Sequence, residues 1–330
     1  MNWIKRLLIA TVLPLISVIF AVGAFEIFLT YDNYYPMPKR NQVEIEGLVY
    51  GFITENNSSF FSEPDPETKD IFLVGDSFTE GVHCSTKKSD FPSLMQTKLD
   101  GQFKIHNLGV GGKNTADYVD IISHLKLDKS DTVVVVLYDN DIHLSPQNCD
   151  QIQRQSKSSG LYIPNMCIGT NEQRVDKSNA TFLQWVNNKV KKFKTIQLIK
   201  ESAVNIPSLT KYFYRNEYIA RWNDFNAEET KWVVSSLNLI KEIVKESGAE
   251  IKFTYYPNTN AINSSDPRHS VWKIFIAEVF KQNAITIDDP YPYFIENATS
   301  ESMVWSLTDK HPSCAAHNIM SDHISKFLIK

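Results

Sequence analysis

The chain has 330 residues, 42% hydrophobic, 12% aromatic and 22% charged, a globular balance that excludes wholesale disorder, collagen-like repeats and a polytopic membrane protein. Its 34 Lys and Arg against 38 Asp and Glu leave a formal net charge of -4, so there is no basic field to hold nucleic acid, and none is expected as a partner. The four cysteines are too sparse to define a fold of this length.

The amino terminus departs from this average. Lys5 and Arg6 precede an uncharged run from Leu7 to Phe25; its about 19 residues make a helix of roughly 28 Å, close to the hydrocarbon thickness of a bilayer. Tyr31, Tyr34 and Tyr35 follow and suit the far interface. Residues 1–30 are therefore expected to be a single-pass anchor in the inner (cytoplasmic) membrane, with the basic flank inside and the rest of the chain periplasmic or extracellular. A signal peptide cut after Ala24 is the alternative; the apolar run continues past that point, which favours a retained anchor. Export permits disulfides. Cys149 and Cys167 flank a stretch rich in Gln, Ser and Gly and are the first candidate pair, with Cys84 and Cys314 then paired or free.

Residues 31–69 read as a polar, Pro-punctuated linker in which VEIEGLVYGF alternates like a strand. The body, 70–330, begins with IFLVGDSFTEG, a buried strand meeting a turn. Tyr118, Ile121, Ile122 and Leu125 recur at helical spacing, with Asn114 or Thr115 as N-cap. TVVVVLYDND from Thr132 to Asp141 is continuously apolar before its polar end, as in a strand covered on both faces. An insertion is expected at about 142–224, where the pattern loosens. A long amphipathic helix follows from Ala227 to Ser247, stopped by Gly248. Then come a strand in IKFTYYP, a helix from Val271 to Gln282, a fourth strand in AITIDD and a closing helix from Ala316 to Leu328. This alternation predicts an α/β fold with an open, mostly parallel sheet covered by helices on both faces.

Four places near strand ends carry unusual residues. Ser77, after Gly75-Asp76, stands at a helix start where amide groups favour developing negative charge; a capping serine without chemistry is the competing reading. Asn107-Leu-Gly-Val-Gly-Gly112 is a glycine-rich turn lacking the Lys-Ser/Thr of a phosphate loop. Asn140, in Tyr138-Asp-Asn-Asp141, has an amide suited to an oxyanion. Thr308-Asp309-Lys310-His311-Pro312 offers His311 as a base for Ser77 and Asp309 as its orienting partner. His317 and His323 suit helix packing. No cluster at metal-ligand spacing accompanies Asp309 and His311, so neither metal nor cofactor is expected.

The order of these four blocks resembles the SGNH (GDSL) hydrolase superfamily over roughly Asp70 to Lys330. The resemblance implies a three-layer α/β/α sandwich of flavodoxin-like form. It also implies a serine hydrolase acting on ester bonds, with Ser77 as nucleophile, His311 and Asp309 as base and partner, and the Ser77 amide, Gly112 and Asn140 as the oxyanion hole. Two features depart from the family pattern: Tyr138 stands where Gly-x-Asn-Asp has glycine, and Asp309 precedes His311 by two residues rather than three. The shorter spacing resembles membrane-anchored, cell-envelope branches. The expected function is therefore an extracytoplasmic esterase acting on acyl, chiefly acetyl, esters of envelope glycans or lipids. An O-acetyltransferase supplied by an integral membrane acyltransferase partner is the alternative, and a non-catalytic envelope scaffold is a third reading.

Overall fold

The computed structural model describes residues 17, 20–24, 41–45, 48–53, 69–84, 88–99, 102–138, 141, 227–257, 279–298, 303–304 and 311–329. The chain divides into two compact units, one of Met1–Pro36, Val175–Tyr218 and Ser306–Asp309, the other of Met37–Arg174, Ile219–Trp305 and Lys310–Lys330. In the first, residues 20–24 are helical and exposed, Phe20 at 79%. Most of the expected anchor lies outside the described residues, and among those described no helix is long and apolar enough to cross a membrane. The insertion at about 142–224, with Cys149 and Cys167, also lies outside them.

Within the second unit, β1 (Asn41–Ile45) and β2 (Leu48–Ile53) pair antiparallel where the linker was expected to alternate. The main sheet contains β3 (Lys69–Gly75), β4 (Phe103–Gly109), β5 (Thr132–Leu137) and β6 (Glu250–Tyr255) in the order β4-β3-β5-β6, all parallel. Its helices are α1 (Ser77–Glu80), α2 (Phe91–Lys98), α3 (Thr115–Ser123), α4 (Ala227–Ser247), α5 (Tyr291–Asn297) and α6 (Cys314–Ile329).

Alternation along the central strands divides the core into two layers. Phe72 and Val74 of β3 and Val133, Val135 and Leu137 of β5 face α3 and α4, meeting Tyr118, Ile122, Trp232 and Leu237. Ile71, Leu73, Val134 and Val136 face the other side, against Phe91 and Met95 of α2 and Ile319, Met320 and Ile324 of α6. Helices thus cover both faces, which is why all six residues of β5 are buried and why its apolar run is continuous. Each such valine contributes roughly 1.5 to 3 kcal/mol by leaving water. The local signals are also satisfied. Asn114 caps α3 in a reciprocal capping box with Asp117, and Gly248, at φ +82°, follows α4.

Ala284–Asp289, expected as the fourth strand, is not one. The Asp288 N–H donates to the Phe253 carbonyl (2.9 Å) and ties it to β6. Side chains hold it instead: the Asp288 carboxylate accepts from Thr254 Oγ1 (3.1 Å) and meets His323 Nε2 at 2.5 Å, while Tyr255 Oη donates to Asp289. These bonds hold the segment at the edge of β6 without a ladder.

The topology singles out one crevice. The chain leaves β3 for β4 on one side, then returns to place β5 on the other. Where connections diverge in this way, the carboxyl ends of the two central strands border an open cleft. Those ends carry Gly75-Asp76-Ser77 and Tyr138–Asp141.

Candidate active site

The turn after β3 is shaped by close packing. A Cβ on Gly75 would lie 2.1 Å from Thr79 Oγ1 and 2.8 Å from the Val136 carbonyl, so only glycine lets β3 end against α1 and β5. Asp76, fully buried, accepts from the Phe78 amide (2.9 Å) and lies 3.4 Å from Ser77 Oγ. It caps α1, whereas Ser77, the first helical residue, does not. The capping serine is thereby excluded, and the hydroxyl of Ser77 is left for other work.

That hydroxyl meets His311. Ser77 Oγ and His311 Nε2 are 2.9 Å apart across a sequence separation of 234. His311 is held from both sides. Pro312 bridges Val304, and the Ser313 amide donates to the Met303 carbonyl (3.1 Å). On the α6 side, Ser313 Oγ accepts from the Ala316 amide (3.2 Å), and Cys314 is disulfide-bonded to Cys84, 230 residues earlier. The pair left open in the sequence is thus formed. Cys84 follows α1 by four residues, so the bond covalently joins the segment after the serine to the segment after the histidine. Asp309 and Asn140 lie outside the described residues.

Aromatic and imidazole rings surround the pair. Phe78, next to Ser77, stacks on Tyr138 with centroids 3.6 Å apart and lies 5.4 Å from the His311 ring. His83 stands edge-on to His311 at 5.8 Å and has a left-handed φ of +74°, an uncommon conformation for a residue with a Cβ. His317 is fully buried beneath them, and its Nδ1 accepts from the Phe91 amide (3.4 Å). Burial first, and then the nearby His311 and His83, pull its pKa down to about 3, so it is a neutral packing residue. His323 is likewise structural, through Asp288. At the end of β5, the buried Asp141 accepts from the Tyr138 amide (2.7 Å). Tyr118 faces Asp141 and Asp76; its complete burial, and then these carboxylates, raise its pKa well above that of an ordinary phenol.

The glycine-rich turn completes the described site. Val110 N–H donates to the Gly75 carbonyl (3.0 Å), docking the turn on the end of β3. Lys113 N–H donates to the Val110 carbonyl (3.2 Å), and Gly112, third in that turn, has φ +77°, the value a type II turn demands there. A Cβ on Gly111 would lie 3.5 Å from Ser77 Cβ, so the turn stands beside the serine.

Ser77, His311 and the glycine turn, far apart in sequence, thus converge at one cleft. Sequence reasoning overlooked Phe78, His83 and Glu80. Glu80 carried a usable signal, since it follows Ser77 by three residues and so shares a helix face with it; His83 carried none. Among the described residues no group of three or more His, Cys, Asp or Glu could hold a metal ion.

No protein-family model and no curated protein matches the chain, whereas solved structures do. A member of the lipolytic protein G-D-S-L family from Veillonella parvula DSM 2008 is 11% identical, covers 80% of this chain and 100% of its own, and has a TM-score of 0.43. A putative lipolytic protein of the G-D-S-L family from Desulfitobacterium hafniense DCB-2 is 10% identical, with coverages of 78% and 99% and a TM-score of 0.41. A variant of an acetyl xylan esterase from Geobacillus stearothermophilus is 12% identical, with coverages of 78% and 93% and a TM-score of 0.41. The chain is similar to solved structures of the G-D-S-L lipolytic family.

Proposed function

We propose that the chain is a serine esterase of the SGNH type, acting outside the cytoplasm on short acyl esters of envelope glycans or lipids. The 2.9 Å contact between Ser77 Oγ and His311 Nε2 at the divergence of β3 and β5 carries this reading. A serine beside a basic imidazole is the minimal activated nucleophile. The same contact argues against a scaffold that merely kept the fold.

In the proposed reaction His311 Nε2 takes the Ser77 proton as Oγ attacks the ester carbonyl carbon. The resulting oxyanion is held by the Ser77 and Gly112 amides and the Asn140 side chain, and Asp309 orients the imidazole. Collapse expels the alcohol, which takes its proton from His311. Water, activated in turn by His311, then releases the acid and restores Ser77. If a sugar hydroxyl replaces water, the same acyl-enzyme becomes an O-acetyltransferase. The uncharged run from Leu7 to Phe25 supports tethering to a membrane, within reach of an integral membrane acyl donor, and the exposed Phe20 in the helical residues 20–24 suits lipid contact.

The test is turnover of a chromogenic acetyl ester by the full chain and by Ser77→Ala. Loss of at least about 1,000-fold is expected from removing the nucleophile, and equal rates would rule the mechanism out. With a glycan acceptor present, acetyl appearing on sugar identifies transfer, whereas acetate in solution identifies hydrolysis. The anchor is checked by alkaline carbonate extraction of expressing cells: the chain should stay with the membrane pellet, and its release into the supernatant would oppose a spanning helix.

A further inference from the structure

The backbone amides of the glycine-rich turn are almost all occupied. Gly109 N–H donates to Asn107 Oδ1 (2.9 Å), Val110 N–H to the Gly75 carbonyl (3.0 Å) and Gly111 N–H to Glu80 Oε2 (2.7 Å). Lys113 N–H donates to the Val110 carbonyl (3.2 Å) and Asn114 N–H to Asp117 Oδ2 (2.9 Å). Among the described residues, Gly112 has the one amide between Gly109 and Asn114 without an acceptor. Gly112 is also exposed, and a Cβ placed on it would meet nothing within 4 Å.

Two adjacent glycines make the softest possible turn, with little in their own covalent structure to decide which amide points where. Here the choice is made from the nucleophile's own helix. Glu80 follows Ser77 by three residues on α1, and its carboxylate takes the Gly111 amide at a distance typical of a charge-assisted bond. Backbone contacts brace the same joint: Asn107 Nδ2 lies 3.4 Å from the Glu80 carbonyl, and a Cβ on Gly109 would lie 2.0 Å from Glu80 N.

We infer that Glu80 is a positioning residue of the Ser77 site: by holding the Gly111 amide it fixes the following peptide and leaves the Gly112 amide as the donor this turn offers to the oxyanion. The assignment rests on the serine-esterase reading for its chemical meaning, but the Glu80–Gly111 bond can be tested without it. Glutamine keeps a carbonyl oxygen at the acceptor position, and alanine removes it.

In the full chain, Glu80→Ala is expected to lower kcat for an acetyl ester by roughly 10- to 100-fold at nearly unchanged KM, as for a displaced oxyanion donor, with the thermal midpoint held within a few degrees. Glu80→Gln is expected to retain kcat within about threefold, because acceptance and not charge positions the turn. An unchanged kcat in Glu80→Ala, or an equal loss in Glu80→Gln, would overturn the assignment. The second readout is hydrogen exchange at the Gly111 amide in a Ser77→Ala background. Faster exchange on adding Glu80→Ala supports the positioning bond even if Ser77 proves not to be the nucleophile. Unaltered exchange refutes the bond whatever the esterase assay shows.

Discussion

Ser77 owes the placement of its hydroxyl, 3.4 Å from Asp76 Oδ2 and 2.9 Å from His311 Nε2, to its neighbours. Asp76 does the capping that a serine at a helix start commonly does, and Gly75 removes the side chain that would clash with Thr79 and Val136. At the same scale, His317 shows how burial separates two histidines six residues apart. His311 sits half-buried against the serine, whereas His317 is sealed from water and held neutral. With a folded pKa of about 3 against an ordinary 6.5, His317 contributes stability that is fully present above about pH 6.5 and is lost as pH falls towards 3. The slope is about 1.4 kcal/mol per pH unit. Asp90 and Asp117, raised by burial, act in the opposite sense, so the wild type must be compared with His317→Gln rather than read alone. Urea unfolding should show the wild-type advantage shrinking by that slope between pH 6.5 and 4. A constant difference would mean that His317 titrates normally in the fold.

At the scale of elements, the site is where two segments distant in sequence are brought together. α1 carries Ser77, the proposed nucleophile, and the segment before α6 carries His311, the proposed base; the Cys84–Cys314 bond fastens one to the other across 230 residues of sequence. Closing so long a loop restricts the unfolded chain strongly, and a bond of this kind stabilises by about 2 to 5 kcal/mol. The double variant Cys84→Ser/Cys314→Ser should unfold at correspondingly lower denaturant and lose turnover more than it loses substrate affinity. Unfolding midpoints equal to wild type would show that packing of α6 on α2 alone sets the joint. Legibility in the sequence followed from locality. β5 was visible because a strand buried on both faces is apolar throughout, and α4 because its 21 residues hold a helical period and end at a glycine. β4, in contrast, has only two fully buried residues, His106 and Gly109, among partly covered ones, so no period marked it. The Ala284–Asp289 segment has a strand-like composition but is fastened through Asp288 and Asp289 side chains.

At the scale of the whole molecule, one topological fact organises the site. β4 and β5 leave β3 on opposite sides, opening the cleft into which Ser77, the glycine turn and the Tyr138–Asp141 turn converge. Gly75, Ser77, Gly112 and His311 were legible as candidates because each lies at or near a strand end or helix start, where residues are set by backbone geometry more than by burial; Asn140 and Asp309 lie outside the described residues. The Cys84–Cys314 pairing and the Glu80–Gly111 bond were not legible, since both depend on which distant turns the sheet order brings together. Activation of Ser77 by His311 is the centre of the proposed chemistry, and a serine-directed fluorophosphonate measures it most directly. Peptide mass spectrometry of the labelled full chain should find one adduct, on the Ser77 peptide, absent in Ser77→Ala and formed at least about 100-fold more slowly in His311→Ala. An adduct on another residue, or none in a chain whose circular dichroism shows an intact fold, would contradict it.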